Sequence, residues 1–362
     1  MIKPELSNVG KELRKVFKVA EFNSTLTDLG LNPTEATDLD IKVECLVGTA
    51  TKLVTPLLAL KATTYSELLD LKTPWGVVGD ATQNGWDGPD MPFFKSKTGN
   101  AISTTELVAY VNLKKGEIKF RKDNKWDENL GGAAGVLKAN GDNIKVDSGS
   151  YKITINPSAL TFKIEAFSWG IVGDATAGGW GDKPDQAMRY DPTVDLWRAE
   201  VSLKKGEWKF RQNNKWDVNY GLDAGDKIKV NGGNFKVEPG IYLITADFNA
   251  NTFSITPTKF VGIVGDATPT GWGGPDMKFS QNLITKKWEL FGIKLTAGQI
   301  KFRENDDWGV NYGSVNDKEP DPLLTGGGLK NNGKNFGVTA GTWDFELDLT
   351  IPDAPKYKAT KK

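Results

Sequence analysis

Over most of the chain apolar and polar positions alternate with a period of two, the mark of strands buried on one face. Residues 196–203 (LWRAEVSL) and 206–211 (GEWKFR) read this way, and the LKKG string joining them reads as a turn. Residues 233–256 read as strand, Pro-Gly turn, strand, Asn-rich turn, strand, and residues 151–166 close an earlier segment in the same manner. The short apolar GIVGDA string is a strand ended by a turn. From residue 75 onward no segment carries a convincing helical period. The pattern predicts roughly seven short strands per unit, as in a β-sandwich.

The units are set by an internal repeat. Trp75–Trp86 (WGVVGDATQNGW) returns as Trp169–Trp180 (WGIVGDATAGGW) and as Val261–Trp272 (VGIVGDATPTGW). A second string follows each: LKKGEIKFRKDNKWDENLG from Leu113, LKKGEWKFRQNNKWDVNYG from Leu203, LTAGQIKFRENDDWGVNYG from Leu295. The spacing of about 90 residues is the size of a domain, not of a solenoid turn. Three homologous modules are expected at 75–166, 167–257 and 258–362. The links at Phe167–Ser168 and Pro257–Phe260 are short and poor in Gly and Ser, which predicts a stiff rod or arc.

Residues 1–74 follow no such repeat. Between Phe17 and Val47 they show a turn around Asn32-Pro33, then an alternating run of Ile41, Val43, Cys45 and Val47. This predicts part of another small β domain whose first strands are missing or too weak to read. Cys45 reads there as a buried small hydrophobe.

Composition narrows the function. Lys plus Arg equals Asp plus Glu at 46 each, so neither nucleic acid nor an anionic membrane surface is implied as a partner. The absence of histidine removes Ser-His-Asp and Cys-His catalysis and His-ligated zinc. A single cysteine allows no internal disulfide, and no metal or cofactor site is expected. No run of 18 apolar residues is present. The first fifteen residues lack the apolar core of a signal peptide.

Twelve tryptophans exceed what such cores require, and comparing the copies sorts them. Trp208 stands where the other copies have Ile118 and Ile300, and Trp75 and Trp169 stand where the third has Val261. Such exchange marks core packing, as does the strand placement of Trp197 and Trp288. Trp86, Trp180 and Trp272 lie in Gly-containing turns before polar loops (DGPD, GDKPD, GGPD). They fit either a ligand platform or a plug over the core edge. Trp126, Trp216 and Trp308 follow Asn/Asp/Lys-rich hairpin tips, where exposure is expected. Two exposed indoles per unit suit a sugar: the indole covers the apolar C–H face of a pyranose, and its N–H reaches a hydroxyl. Arg121, Arg211 and Arg303 with Asn129, Asn219 and Asn311 are candidates to hydrogen-bond the hydroxyl rim. Lys119, Lys209 and Lys301 are candidates too, although a solvated strand face explains them equally well. Asp80, Asp174 and Asp266 read as caps of the turn that follows them.

The two motifs, VGDAT-x-x-GW and KFR-x-(N/D)-x-x-W-x-x-NYG, resemble the SusE/SusF family of outer-membrane starch-binding lipoproteins of gut Bacteroidota. The second also looks like non-catalytic modules of bacterial pullulanases. The resemblance covers residues from about 75 to 355, and three modules are nearer the SusF arrangement; it implies tandem immunoglobulin-like β-sandwich modules, and residues 1–74 resemble the tail of the family's N-terminal immunoglobulin-like domain, shortened. It implies a non-enzymatic protein that binds starch, amylopectin and maltooligosaccharides at the cell surface. Other outer-membrane starch-utilisation proteins are implied as partners. The paired aromatics would be Trp86 with Trp126, Trp180 with Trp216, and Trp272 with Trp308, angled to the curve of an amylose helix. Cys45 does not match the family's lipid-bearing cysteine, so the implied membrane anchor is not found in this sequence. The copies also differ. Asp307 and Gly309 flank Trp308 where the others have Lys and Asp, and Leu130 replaces a tyrosine. Two competing readings are weaker. A glycosidase needs a deep cleft that 90-residue sandwiches hardly provide. An adhesin would use the same modules only as spacers or to bind another glycan or a protein.

Overall fold

The computed structural model describes residues 19–29, 31, 36–42, 44–47, 51–65, 69–99, 101–181 and 183–362. The described chain is all-β apart from one helix, Val19–Asp28. That helix departs from the β expectation for the N-terminal region. Its residues Val19, Phe22 and Leu26, with Leu29 just past its end, follow a helical spacing too short to stand out. Leu26 and Asn23 are buried. The Asn23 amide holds Tyr65 from both sides: its Nδ2 donates to the Tyr65 carbonyl at 3.0 Å and its Oδ1 accepts the Tyr65 amide at 2.8 Å. Two antiparallel pairs follow, Ala36–Ile41 with Leu58–Thr63 and Glu44–Val47 with Thr51–Val54. The expected turn at Asn32-Pro33, Val43 and the burial expected for Cys45 lie outside the described residues.

From Lys72 onward the three repeats build separate cores. Trp75, Phe93, Ile118, Phe120 and Ile153 anchor the first, Trp169, Trp208, Phe210, Phe235 and Ile244 the second. Val261, Trp288, Ile300, Phe302, Phe336 and Phe345 anchor the third. The tryptophans read as core are there, except that Trp197 is only half-buried.

In the middle repeat two sheets pack face to face. One contains Trp169–Val172, Gly206–Gln212 and Lys215–Leu222; the other contains Arg189–Asp191, Leu196–Leu203, Gly240–Asp247 and Thr252–Pro257. In the first repeat hydrogen bonding runs from sheet to sheet around the core. Thr161–Ala166 pairs with Val136–Ala139, which pairs with Lys125–Ala133, which pairs with Gly116–Lys122. In the third, Gly326–Asn331 pairs with Lys356–Lys361 and joins the two sheets.

One strand per repeat carries the KFR motif: Gly116–Lys122, Gly206–Gln212 and Gly298–Glu304. Ile118 and Phe120 face the core, so period two sends Lys119 and Arg121 to the outer face, where the candidate site lies.

Candidate functional site

A two-residue hairpin ends each KFR strand. Its central residues, Asp123-Asn124, Asn213-Asn214 and Asn305-Asp306, all have φ between 53° and 59°. A type I′ turn needs positive φ at both positions, which Asn and Asp tolerate. The turn delivers Trp126, Trp216 and Trp308 to the start of the returning strand, 46%, 45% and 44% exposed.

The second indole comes from a tight loop after the GIVG strand. Bridges between Gly79 and Gly85, Gly173 and Gly179, and Gly265 and Gly271 close it. The hydroxyls of Thr82, Thr176 and Thr268 donate to the carbonyls of Gly79, Gly173 and Gly265, each at 2.8 Å. Trp86, Trp180 and Trp272 emerge half-buried from this loop. Each lies beside its partner. Ring centroids are 6.0 Å apart at 36° for Trp86 and Trp126, 6.1 Å at 29° for Trp180 and Trp216, and 6.1 Å at 34° for Trp272 and Trp308. The two indoles of each repeat thus form one tilted aromatic pair, the candidate platform.

A buried ion pair supports each platform. Arg121, Arg211 and Arg303 are 2%, 1% and 2% exposed. Their guanidinium carbons sit 4.6, 4.9 and 4.6 Å from the centroids of Trp126, Trp216 and Trp308. Arg121 grips Asp90 with Nε and Nη2, both at 2.8 Å. Arg303 grips Asp276 in the same way at 2.8 and 2.7 Å, and this hydrogen bond helps hold its pKa above the ordinary value. Arg211 donates through Nε to Asp185 at 2.8 Å and through Nη2 to the Gly181 carbonyl. The arginines, expected at the sugar rim, therefore lie beneath the indoles with their charge matched by aspartate.

The aspartates Asp90, Asp185 and Asp276 are the site residues that sequence reasoning missed. Their signal was the Pro-Asp that ends the polar loop in all three copies. Their backbone amides donate to Asn124 Oδ1, Asn214 Oδ1 and Asp306 Oδ1 at 2.7, 2.8 and 3.0 Å, tying loop to hairpin tip. Glycine makes room for them. A Cβ on Gly76, Gly170 or Gly262 would stand 2.4 Å from the aspartate Cβ in each copy.

The asparagines also work inside the scaffold. Asn129, Asn219 and Asn311 sit opposite the arginines across the hairpin. Each donates to the carbonyl of Trp126, Trp216 or Trp308, at 3.0, 3.2 and 3.0 Å, and to a side-chain oxygen of Asn140, Asn231 or Asn332. Lys301 completes the third set by donating to Asn311 Oδ1 at 2.8 Å. Among the described residues, Asn129 Oδ1 and Asn219 Oδ1 are buried without a partner. Lys119, Lys209 and Lys301 are half-buried beside this network, and burial lowers the pKa of Lys209 and Lys301.

Asp80, Asp174 and Asp266 cap a strand rather than their own turn. They accept the amides of Glu117, Glu207 and Gln299 at 2.6, 2.6 and 2.5 Å, where the KFR strand begins. An open groove of about 710 Å³ in the first repeat, lined by Gly132, Asn143, Lys145 and Phe162 among others, contains none of these residues.

Fold and site together define a chain of β-sandwich repeats, each carrying the same pair of adjacent, tilted indoles. No known family matches the sequence, and no curated protein matches it. Among solved structures the chain is similar to SusF from Bacteroides thetaiotaomicron, with 14% identity over 94% of this chain and 85% of that one. The TM-score is 0.23, so the likeness carries no argument about residues or activity.

Proposed function

We propose that this chain is a non-catalytic glycan-binding protein whose three tryptophan pairs hold α-1,4-linked glucan, as in starch, amylopectin and maltooligosaccharides. The observation that carries this reading is the threefold recurrence of two adjacent indoles bent by 29–36°, one of them nearly half exposed. Successive pyranose rings of a curved glucan turn relative to one another, and a bent platform can meet two such faces at once. A flat ribbon-like glycan would favour coplanar rings. The matched Arg–Asp pairs leave the platform without a net charge from its own support, which suits a neutral sugar. Indole N–H and lysine ammonium groups supply the kind of donors that glucan hydroxyls accept. The motif resemblance adds a lipid-anchored, cell-surface setting beside other starch-utilisation proteins.

Native gels containing amylopectin or glycogen provide the test. Retardation is expected, and replacing all six platform tryptophans by alanine should abolish it while the fold survives. A single Trp216→Ala change should cost its own site about 2 kcal/mol, roughly thirtyfold in affinity. Migration unaffected by either polymer would refute the reading. Retardation on xylan or dextran but not on starch would leave the platform and overturn the linkage.

A further inference from the structure

The hairpin of the middle repeat, Arg189–Asp191 joined to Leu196–Leu203, touches both neighbouring repeats. Toward the first repeat, Tyr190 and Trp197 pack on Tyr110, each pair of ring centroids 4.9 Å apart. Phe94 and Phe167 complete this aromatic cluster. Asp195, in the hairpin turn, accepts Lys97 Nζ from the first repeat at 2.7 Å and the Tyr190 hydroxyl at 2.8 Å. The Leu69 amide, just before the first repeat, donates to the Thr193 carbonyl at 2.8 Å. Toward the third repeat, Arg198, 1% exposed, donates to the Gln281 carbonyl at 2.6 Å while also pairing with Asp191 and Glu200.

The two links are strapped as well. Asn213 Oδ1 accepts the Ser168 amide at 2.7 Å, and Asn305 Oδ1 accepts the Phe260 amide at 2.9 Å. Both asparagines belong to the hairpin tips that deliver Trp216 and Trp308. Each link is therefore bonded to the platform-bearing hairpin of the repeat it enters. At the equivalent hairpin the first repeat has KSKTGNAIST and the third SQNLITKKW, so neither string carries counterparts of Tyr190, Asp195 and Arg198.

We propose that this hairpin clamps the three repeats into one rigid body, so that the platforms keep a fixed span and the ligand is a long glucan bridging at least two of them. This rests on the glycan-binding reading above. A half-buried aromatic cluster and a shielded ion pair resist bending far more than a solvated linker, and a fixed span matched to the polymer maximises effective concentration.

Charge reversal tests the clamp. Lys97→Asp sets two carboxylates against each other, and the swap Lys97→Asp with Asp195→Lys restores attraction. Tyr190→Ala removes a cluster ring without touching any platform. Lys97→Asp and Tyr190→Ala should raise the maximum dimension or broaden the distance distribution in small-angle X-ray scattering, and the swap should reverse the Lys97→Asp change. Affinity for maltoheptaose should stay within about twofold, while the preference for amylopectin over maltoheptaose, about 10²–10⁴ for a linked array, should fall at least tenfold. Unchanged scattering in both single variants would overturn the clamp, whatever the chain binds. Altered scattering with an unchanged polymer preference would overturn the bridging role. Absence of maltoheptaose and amylopectin binding by the unaltered chain would remove the glucan reading and leave the scattering result to judge the clamp.

Discussion

A guanidinium buried under an indole has two partners, and they differ in what they contribute. The aspartate neutralises it, and the indole face meets it through a cation–π contact. Removing the aspartate leaves a buried charge with nothing to balance it. Asp185→Ala should therefore destabilise the middle repeat by about 3–5 kcal/mol, seen as an early transition in chemical denaturation. An equal loss from Asp217→Ala, at an exposed position on the same hairpin, would contradict this account. At this scale the sequence marked the tryptophans, arginines and asparagines by their recurrence, but not their orientation. Arg121 and Trp126 are five positions apart, and only the folding back of the I′ hairpin puts one beneath the other. Asp90 is 31 positions from Arg121, so its partnership was not legible from local spacing.

At the scale of the element, each site is a strand, a loop and a hairpin that must approach closely. Glycine at the strand crossing allows it. Gly170→Ala would place a methyl group 2.4 Å from Asp185 Cβ, an atom fixed to its backbone and not the far end of a flexible side chain that could swing away. The expected result is loss of the Arg211–Asp185 bond and, under the proposed glucan-binding function, weaker binding by the middle site, read by calorimetry on a chain whose other two pairs are alanine. Binding within twofold of the same chain carrying Gly170 would count against the requirement for close approach. The short helix Val19–Asp28 was missed because ten residues with four apolar positions give little periodic signal. Trp208 was rightly placed in the core by its exchange with isoleucine, yet its buried indole N–H has no partner among the described residues. Ile118 and Ile300 carry no such group.

For the whole molecule, the junctions between repeats matter most, and their tyrosines report on them. Burial, followed by the charge of Asp195, pushes Tyr110 up from 10.0 to about 12, and burial with the Asp195 hydrogen bond raises Tyr190 further. Burial also raises Tyr312 and Tyr357 in the third repeat. The folded state favours the neutral phenol, so this stabilisation is complete below pH 10 and is lost as pH rises toward 12 and beyond. Ultraviolet titration should show phenolate appearing later in the folded protein than in the denatured chain, with the Tyr110 portion moving toward the ordinary value in the Tyr190→Ala variant, which uncovers part of its ring. Coincident titration curves would contradict the buried junction.

The sequence by itself determined the number of repeats, their all-β character, and which tryptophans could be spared from the cores. These follow from periodicity and from comparison of the three copies, both of which are local properties. The tertiary structure decided that the arginines and asparagines lie under the platform, that an aspartate from a distant loop holds each arginine, and that one hairpin joins neighbouring repeats. Those relations depend on side chains brought together by sheet register and chain reversal, over separations at which the linear pattern carries no spacing signal.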